Sequence, residues 1–224
     1  MQASIHQIVQ QFNIPYEIEE VSLFGEGFIN DTYLVKCKST KDSYLLQKKN
    51  IHIFTNIPDM LVNTEKVTAH LRSKIKQRGG DVLNEVLTLI KTKEQSLFAM
   101  DDAGDYWVLL YYILEHQTPA NVKTALIGFE AGATIGKFHQ QLIDFNSPLK
   151  EVLPGFHDMA YRFNEWDAAL SNDALRRSSL AQKEIEILNS YKTEMLRLWR
   201  LIDDGIIPKR VTHGDTKLSN ILFN

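Results

Sequence analysis

A single cysteine, Cys37, in 224 residues rules out an internal disulfide framework and fits a reducing compartment. Long hydrophobic runs are missing as well: none approaches the roughly 20 residues needed to span a bilayer. Met1 to Gln10 lacks the basic and apolar regions of a secretory leader. No charge of one sign dominates. The balance of 25 basic against 28 acidic residues, scattered through the chain, leaves no electrostatic footprint for nucleic acid. There is no internal repeat and no low-complexity segment. These absences predict a soluble, cytoplasmic, monomeric chain that works on neither nucleic acid nor membrane. With 44% apolar residues it can bury the core of one large domain or of two small lobes.

What is present gathers at the carboxyl end, in Val211-Thr212-His213-Gly214-Asp215-Thr216-Lys217-Leu218-Ser219-Asn220 followed by apolar Ile221-Leu222-Phe223. An Asp, an Asn five residues later and then an apolar run is the spacing of a catalytic loop for phosphoryl transfer. A carboxylate must take up or orient the acceptor hydroxyl's proton, and a side-chain carbonyl must hold a metal ion against the phosphates. Lys217, two residues past Asp215, can reach a transferring phosphate. Asp and Asn are also ordinary turn residues, so the loop gains weight only from its context. The sequence stops four residues after Asn220, inside what reads as a new strand, which points to the front part of a longer protein.

Taken in order, residues 2–12 read as a short helix on Ile5, Ile8, Val9 and Phe12. Tyr16–Phe24, Ile29–Cys37 and Tyr44–Lys49 read as strands, with Gly25-Glu26-Gly27 turning between the first two. A glycine turn between antiparallel strands lets backbone amides approach phosphates. The third strand carries Gln47, Lys48 and Lys49. Alternation puts Gln47 and Lys49 on one face and Lys48 on the other; Lys48 is the favoured phosphate lysine. Pro58 opens a helix of about 20 residues that Gly79-Gly80 stops. Its Glu65 reads as a solvated glutamate, with a pairing to a strand lysine as the alternative. Strands follow near 86–91 and 96–100, then Tyr106–Ile113, apolar without alternation and so buried on both faces. After the connector Glu115–Pro119, residues 121–145, 156–171 and 178–203 are helical by period.

The fold class is therefore α+β in two lobes. Residues 1–113 form a β-rich nucleotide-binding lobe with one long helix, and 114–224 a mainly helical, incomplete lobe that carries the catalytic loop, with a ligand cleft between them.

His213-Gly214-Asp215 with Asn220 resembles the signature of the aminoglycoside phosphotransferase and choline kinase superfamily, which has a protein-kinase-like fold. Three further stretches are similar to its N-acetylhexosamine 1-kinase group: Gly25–Val35, Leu46-Gln47-Lys48-Lys49-Asn50, and Leu153-Pro154-Gly155-Phe156-His157-Asp158. Phe28 and Gly214 depart from that group's usual His and Asn. The resemblance implies ATP-dependent phosphorylation, with Mg2+, of a sugar's anomeric hydroxyl. Asp215 would be the catalytic carboxylate, with Lys217 on the transferred phosphate, Asn220 on magnesium and His213 bracing the loop. Gly25, Glu26, Gly27, Phe28, Ile29 and Asn30 would cover the nucleotide's phosphates, with Lys48 beneath them and the backbone of Tyr112 and Ile113 along the adenine edge. His157 and Asp158 would contact the sugar, although Asp158 also sits where a helix cap belongs. A second metal-binding Asp is expected beyond Asn224. Other acceptors (choline, an aminoglycoside, homoserine) and a non-catalytic nucleotide-binding protein are the alternatives.

Overall fold

The structure, a computed structural model, describes residues 4–25 and 29–223. It is a mixed α+β chain that forms two compact units, one of residues 1–152 with 215–224 and one of residues 153–214. These units are drawn by packing, whereas the division at 113/114 is one of expected function.

The first unit is built on an antiparallel sheet. Strands β1 (Ile18–Leu23), β2 (Asp31–Cys37), β3 (Ser43–Lys48) and β6 (Tyr106–Tyr111) lie side by side in that order. The two-residue strands β4 (Leu89–Ile90) and β5 (Ala99–Met100) both pair with the far edge of β6. Helix α1 (Ile5–Val9) precedes the sheet, and α2 (Ile57–Gln77) and the single turn α3 (Val82–Glu85) follow β3.

Local chemistry sets the ends. Ser4 and Gln7 exchange side-chain and backbone hydrogen bonds in a capping box that opens α1 at Ile5; residues 2 and 3 of the expected helix lie outside the described residues. The Asn56 side chain accepts from the Asp59 amide to start α2. At its other end Gly79 has φ +73°, and the Gly80 amide reaches back to the Ile75 carbonyl. Asp81 caps α3 through the Leu83 and Asn84 amides, and of the strand expected near 86–91 the ladder keeps Leu89–Ile90.

Directly opposed residues of an antiparallel ladder share a face. Tyr44, Leu46 and Lys48 therefore stand with Val35, Trp107 and Leu109, and their apolar members pack with Ile8, Val9 and Phe12 around α1. Leu45 and Gln47 share the other face with Thr32, Leu34, Val108 and Leu110. There Val108 is buried with Ile57 and Leu61 of α2. Trp107, Val108 and Leu109 are all buried, as a non-alternating strand requires.

Helix α4 (Ala125–Gln141), capped by Thr124 and so four residues shorter at its start than periodicity suggests, completes this unit with the connector that follows it. That connector is strapped along α2. Asn63 exchanges two hydrogen bonds with the backbone of Lys150, Lys66 donates to the Pro148 carbonyl at 2.7 Å, and Lys74 pairs with Asp144 at 2.5 Å.

The second unit pairs α5 (Met159–Asn172) with α6 (Gln182–Asp203). Trp166 donates to Asn189 at 3.1 Å, and Lys192 binds Asp167 at 2.6 Å while covering the Phe163 ring. Phe163 is its buried residue among those described. Of the apolar residues that give residues 178–203 their helical period, Leu188, Tyr191, Met195 and Leu198 are exposed and Ile185 and Ile202 half-buried. No helix among the described residues is long and apolar enough to cross a membrane.

Candidate active site

Among the described residues the tail forms no strand. Leu218–Asn220 make one turn of 3-10 helix, after which Phe223 bridges Gln117 through two backbone hydrogen bonds of 2.7 and 2.9 Å. Between these points the loop closes on itself. The Asn220 side-chain amide donates to the Asp215 carbonyl at 2.9 Å, and the Lys217 ammonium stands 3.4 Å from the Asp215 carboxylate. The predicted catalytic trio thus forms one local cluster, more than half exposed at Asp215 and Lys217. Since the nitrogen of the Asn220 amide faces inward, its oxygen is the atom that can meet a cation.

Of the glycine turn, Glu26, Gly27 and Phe28 lie outside the described residues. Gly25 has φ +71°, a conformation that glycine adopts without penalty. Asn30 accepts from the Asn50 amide at 3.2 Å, tying this turn to the end of β3. Ile29 and Asp31 line a pocket of about 230 Å³ there, together with Lys48, Lys49, His52 and Asp105.

The two strand lysines differ sharply. Lys48 lies on the α1 face, its ammonium 2.5 Å from Asp105 and 5.9 Å from the Trp107 ring centre. The hydrogen bond to Asp105 raises its pKa against the cost of burial. Asp105 itself lies in the turn of Asp101, which binds the Trp107 indole and the Ala103 and Asp105 amides. Lys49 follows on the α2 side. Its ammonium donates to the Gln47 side-chain oxygen at 2.7 Å, and burial pushes its pKa down to about 8. Glu65 reaches neither lysine: Arg72, two turns on along α2, holds it at 2.6 Å.

At the other end of β6, the Tyr112 amide donates to the Ser43 carbonyl at 2.9 Å, and the Ile113 carbonyl meets His116 Nδ1. Around that backbone stands an aromatic row. Tyr112 is edge to face with Phe24 at 5.5 Å and with His116 at 5.4 Å. Periodicity gives no sign of this row, because Phe24 reads as the ordinary end of a strand and His116 as part of a connector.

The Pro-Gly-Phe-His-Asp stretch lies in the second unit. Asp158 is the cap of α5, accepting from the Ala160 and Tyr161 amides at 2.8 and 3.1 Å. Arg162 turns to the Phe156 carbonyl and to Glu165. The His157 ring lies against Gly214, where an added Cβ would stand 3.1 Å from Nε2. So this stretch and Gly214 are neighbours in space within the second unit.

The APH family, a phosphotransferase enzyme family, matches residues 20–224. The chain belongs to this family. Among solved structures, the crystal structure of the spectinomycin phosphotransferase APH(9)-Ia in complex with ADP and spectinomycin is similar at a TM-score of 0.48 and 15% identity, over 93% of this chain and 61% of that one. The chain spans about three fifths of the length of that protein.

No three His, Cys, Asp or Glu side chains gather among the described residues. Magnesium asks for less: one or two protein oxygens beside phosphate oxygens and water satisfy it. The Asn220 side-chain oxygen, presented by the closed loop, is one such donor.

Proposed function

We propose that this protein is an ATP-dependent small-molecule kinase that transfers phosphate to a sugar hydroxyl, the anomeric hydroxyl of an N-acetylhexosamine. The observation that carries the reading is the closed loop in which Asn220 binds the Asp215 backbone and Lys217 stands beside the Asp215 carboxylate. Family membership supports phosphotransfer. The similarity of Gly25–Val35 and Leu153–Asp158 to the N-acetylhexosamine 1-kinase group supports the acceptor.

In this reading Asp215 receives the acceptor hydroxyl's proton as its oxygen attacks the terminal phosphorus of ATP, the bond from that phosphorus to the bridging oxygen breaks and ADP leaves, and Lys217 offsets charge on the moving phosphoryl group. A magnesium ion held by Asn220 would neutralise the nucleotide's phosphates. Residues 1–113 form the nucleotide lobe: residues 25–30 cover the phosphates, and the backbone of Tyr112 and Ile113, framed by Phe24 and His116, meets the base. Lys49 rather than Lys48 supplies the strand's cation, because Lys48 is already neutralised by Asp105 on the opposite face. His157 and Asp158 contact the sugar.

The test is a coupled ADP assay with ATP and magnesium on a panel of N-acetylhexosamines, other sugars, choline, aminoglycosides and homoserine. Turnover on an N-acetylhexosamine, giving an acid-labile 1-phosphate, is the expected result. Turnover confined to another acceptor would overturn the substrate assignment. Nucleotide binding with no turnover on any acceptor would leave a non-catalytic nucleotide-binding protein.

A further inference from the structure

We infer that Gln47 is a positioning residue for Lys49: its neutral amide holds the ammonium where a carboxylate would otherwise stand, so that the nucleotide's phosphate supplies the lysine's counter-charge. This rests on the reading of Lys49 as the phosphate lysine.

Both ends of the Gln47 amide are engaged. Its nitrogen donates to Thr32 Oγ1 at 3.3 Å, and its oxygen accepts from Lys49 Nζ at 2.7 Å. The hydroxyl on β2 therefore selects which way round the amide sits, and the oxygen is presented to the lysine. An ammonium has three protons, and one such acceptor leaves it underprovided. Among the described residues, the nearby carboxylates are held elsewhere or out of reach. Asp105 is bound to Lys48 at 2.5 Å, and Glu65 on α2 is bound to Arg72 at 2.6 Å. Asp31 and His52 line the adjoining pocket, yet among the described residues neither lies within ion-pair distance of Lys49. Burial acts on Lys49 with no compensating charge, in keeping with its lowered pKa of about 8.

The difference between an amide and a carboxylate here is functional. A preformed ion pair would be satisfied before the nucleotide arrives, and a phosphate would have to share its cation. A cation held by an amide keeps its full charge for an incoming anion. It also becomes sensitive to pH, because deprotonation removes the attraction.

The experiment compares the protein with its Gln47→Glu and Gln47→Leu variants. Lys49 is titrated by NMR on ε-labelled lysine without nucleotide, and ATP–magnesium binding is measured by calorimetry from pH 6.5 to 9.5. In the parent, affinity should fall severalfold between pH 7.5 and 9 as Lys49 loses its proton. Gln47→Glu should raise the Lys49 midpoint by about one pH unit or more. It should also weaken binding at pH 7 by about tenfold and flatten its pH dependence. Gln47→Leu should lower the midpoint further and also weaken binding, with melting temperatures confirming that both variants fold. A Lys49 midpoint unmoved by either variant overturns the inference while nucleotide binding stands. A parent protein whose midpoint does respond to Gln47→Glu, but which binds no ATP, overturns instead the functional reading and the role given to the phosphate.

Discussion

Lys48 and Asp105 stand 2.5 Å apart on the face of the sheet that carries α1, and Lys49, the next residue, turns to the other face. One residue's difference in register thus decides which cation is neutralised inside the protein. We expect Lys48→Met to leave ATP affinity within about twofold, and Lys49→Met to weaken it by about 10- to 100-fold, the scale of a hydrogen bond to a charged group. Calorimetry on the two variants decides; equal losses would return the phosphate role to Lys48.

Lys49 should also govern how stability varies with pH. Its pKa is about 8 in the folded protein against a usual 10.5. Below pH 8 it is charged in both states, so the cost of burying the charge is fully present. Between pH 8 and 10.5 the folded state loses its proton first, and the cost is relieved as pH rises. Lys49→Met should therefore stabilise the fold at pH 7 by about 2–3 kcal/mol, and this gain should vanish towards pH 10.5. Urea denaturation at several pH values measures it. A variant no more stable than the parent at pH 7 would contradict a desolvated ammonium.

Asp215→Asn should lower turnover by about 10²–10⁴-fold, the usual scale of a lost general base. Because Asp215 is exposed, melting should shift little. Steady-state kinetics beside a melting curve separates chemistry from folding, and turnover within about tenfold of the parent removes the role.

Gly155 has φ +67°, and a Cβ there would lie 2.4 Å from the Tyr161 ring. Gly155→Ala therefore meets both backbone strain and a clash, worth together about 2–4 kcal/mol. Tyr161→Ala in the same chain should recover part of the loss by opening the space, as chemical denaturation would show.

In the buried sheet, Leu46 and Leu109 are fully enclosed on the α1 face. Leu109→Ala should cost about 2–5 kcal/mol, the range for emptying a close-packed leucine site. A loss below about 1 kcal/mol would mean that the face can collapse around the gap.

Much of this was legible before the structure. The non-alternating run at Tyr106 announced a strand covered on both sides, and Pro58 with Gly79 bracketed α2 closely. Alternation placed Gln47 and Lys49 together, but it cannot say which face of a strand meets which helix. That depended on α1 and α2 packing on opposite sides of the sheet. The Asp81 cap was missed because a four-residue helix has too little periodicity to register. The α6 stripe shows the reverse failure: its spacing looks like core, yet burial depends on a neighbour that spacing does not supply. Around the loop, Asp215, Lys217 and Asn220 came together because they are local in sequence. The aromatic row of Phe24, Tyr112 and His116 joins distant segments, and only the folded sheet brings them into contact.

The paired backbone bonds between Gln117 and Phe223 fasten the chain past Asp215 to the segment leaving the central sheet. They act as a rivet at one end of an otherwise exposed loop. A change of backbone direction near Gln117 reaches the Asp215 carboxylate only through the single turn Leu218–Asn220, so the aim of that carboxylate is open to adjustment from the connector.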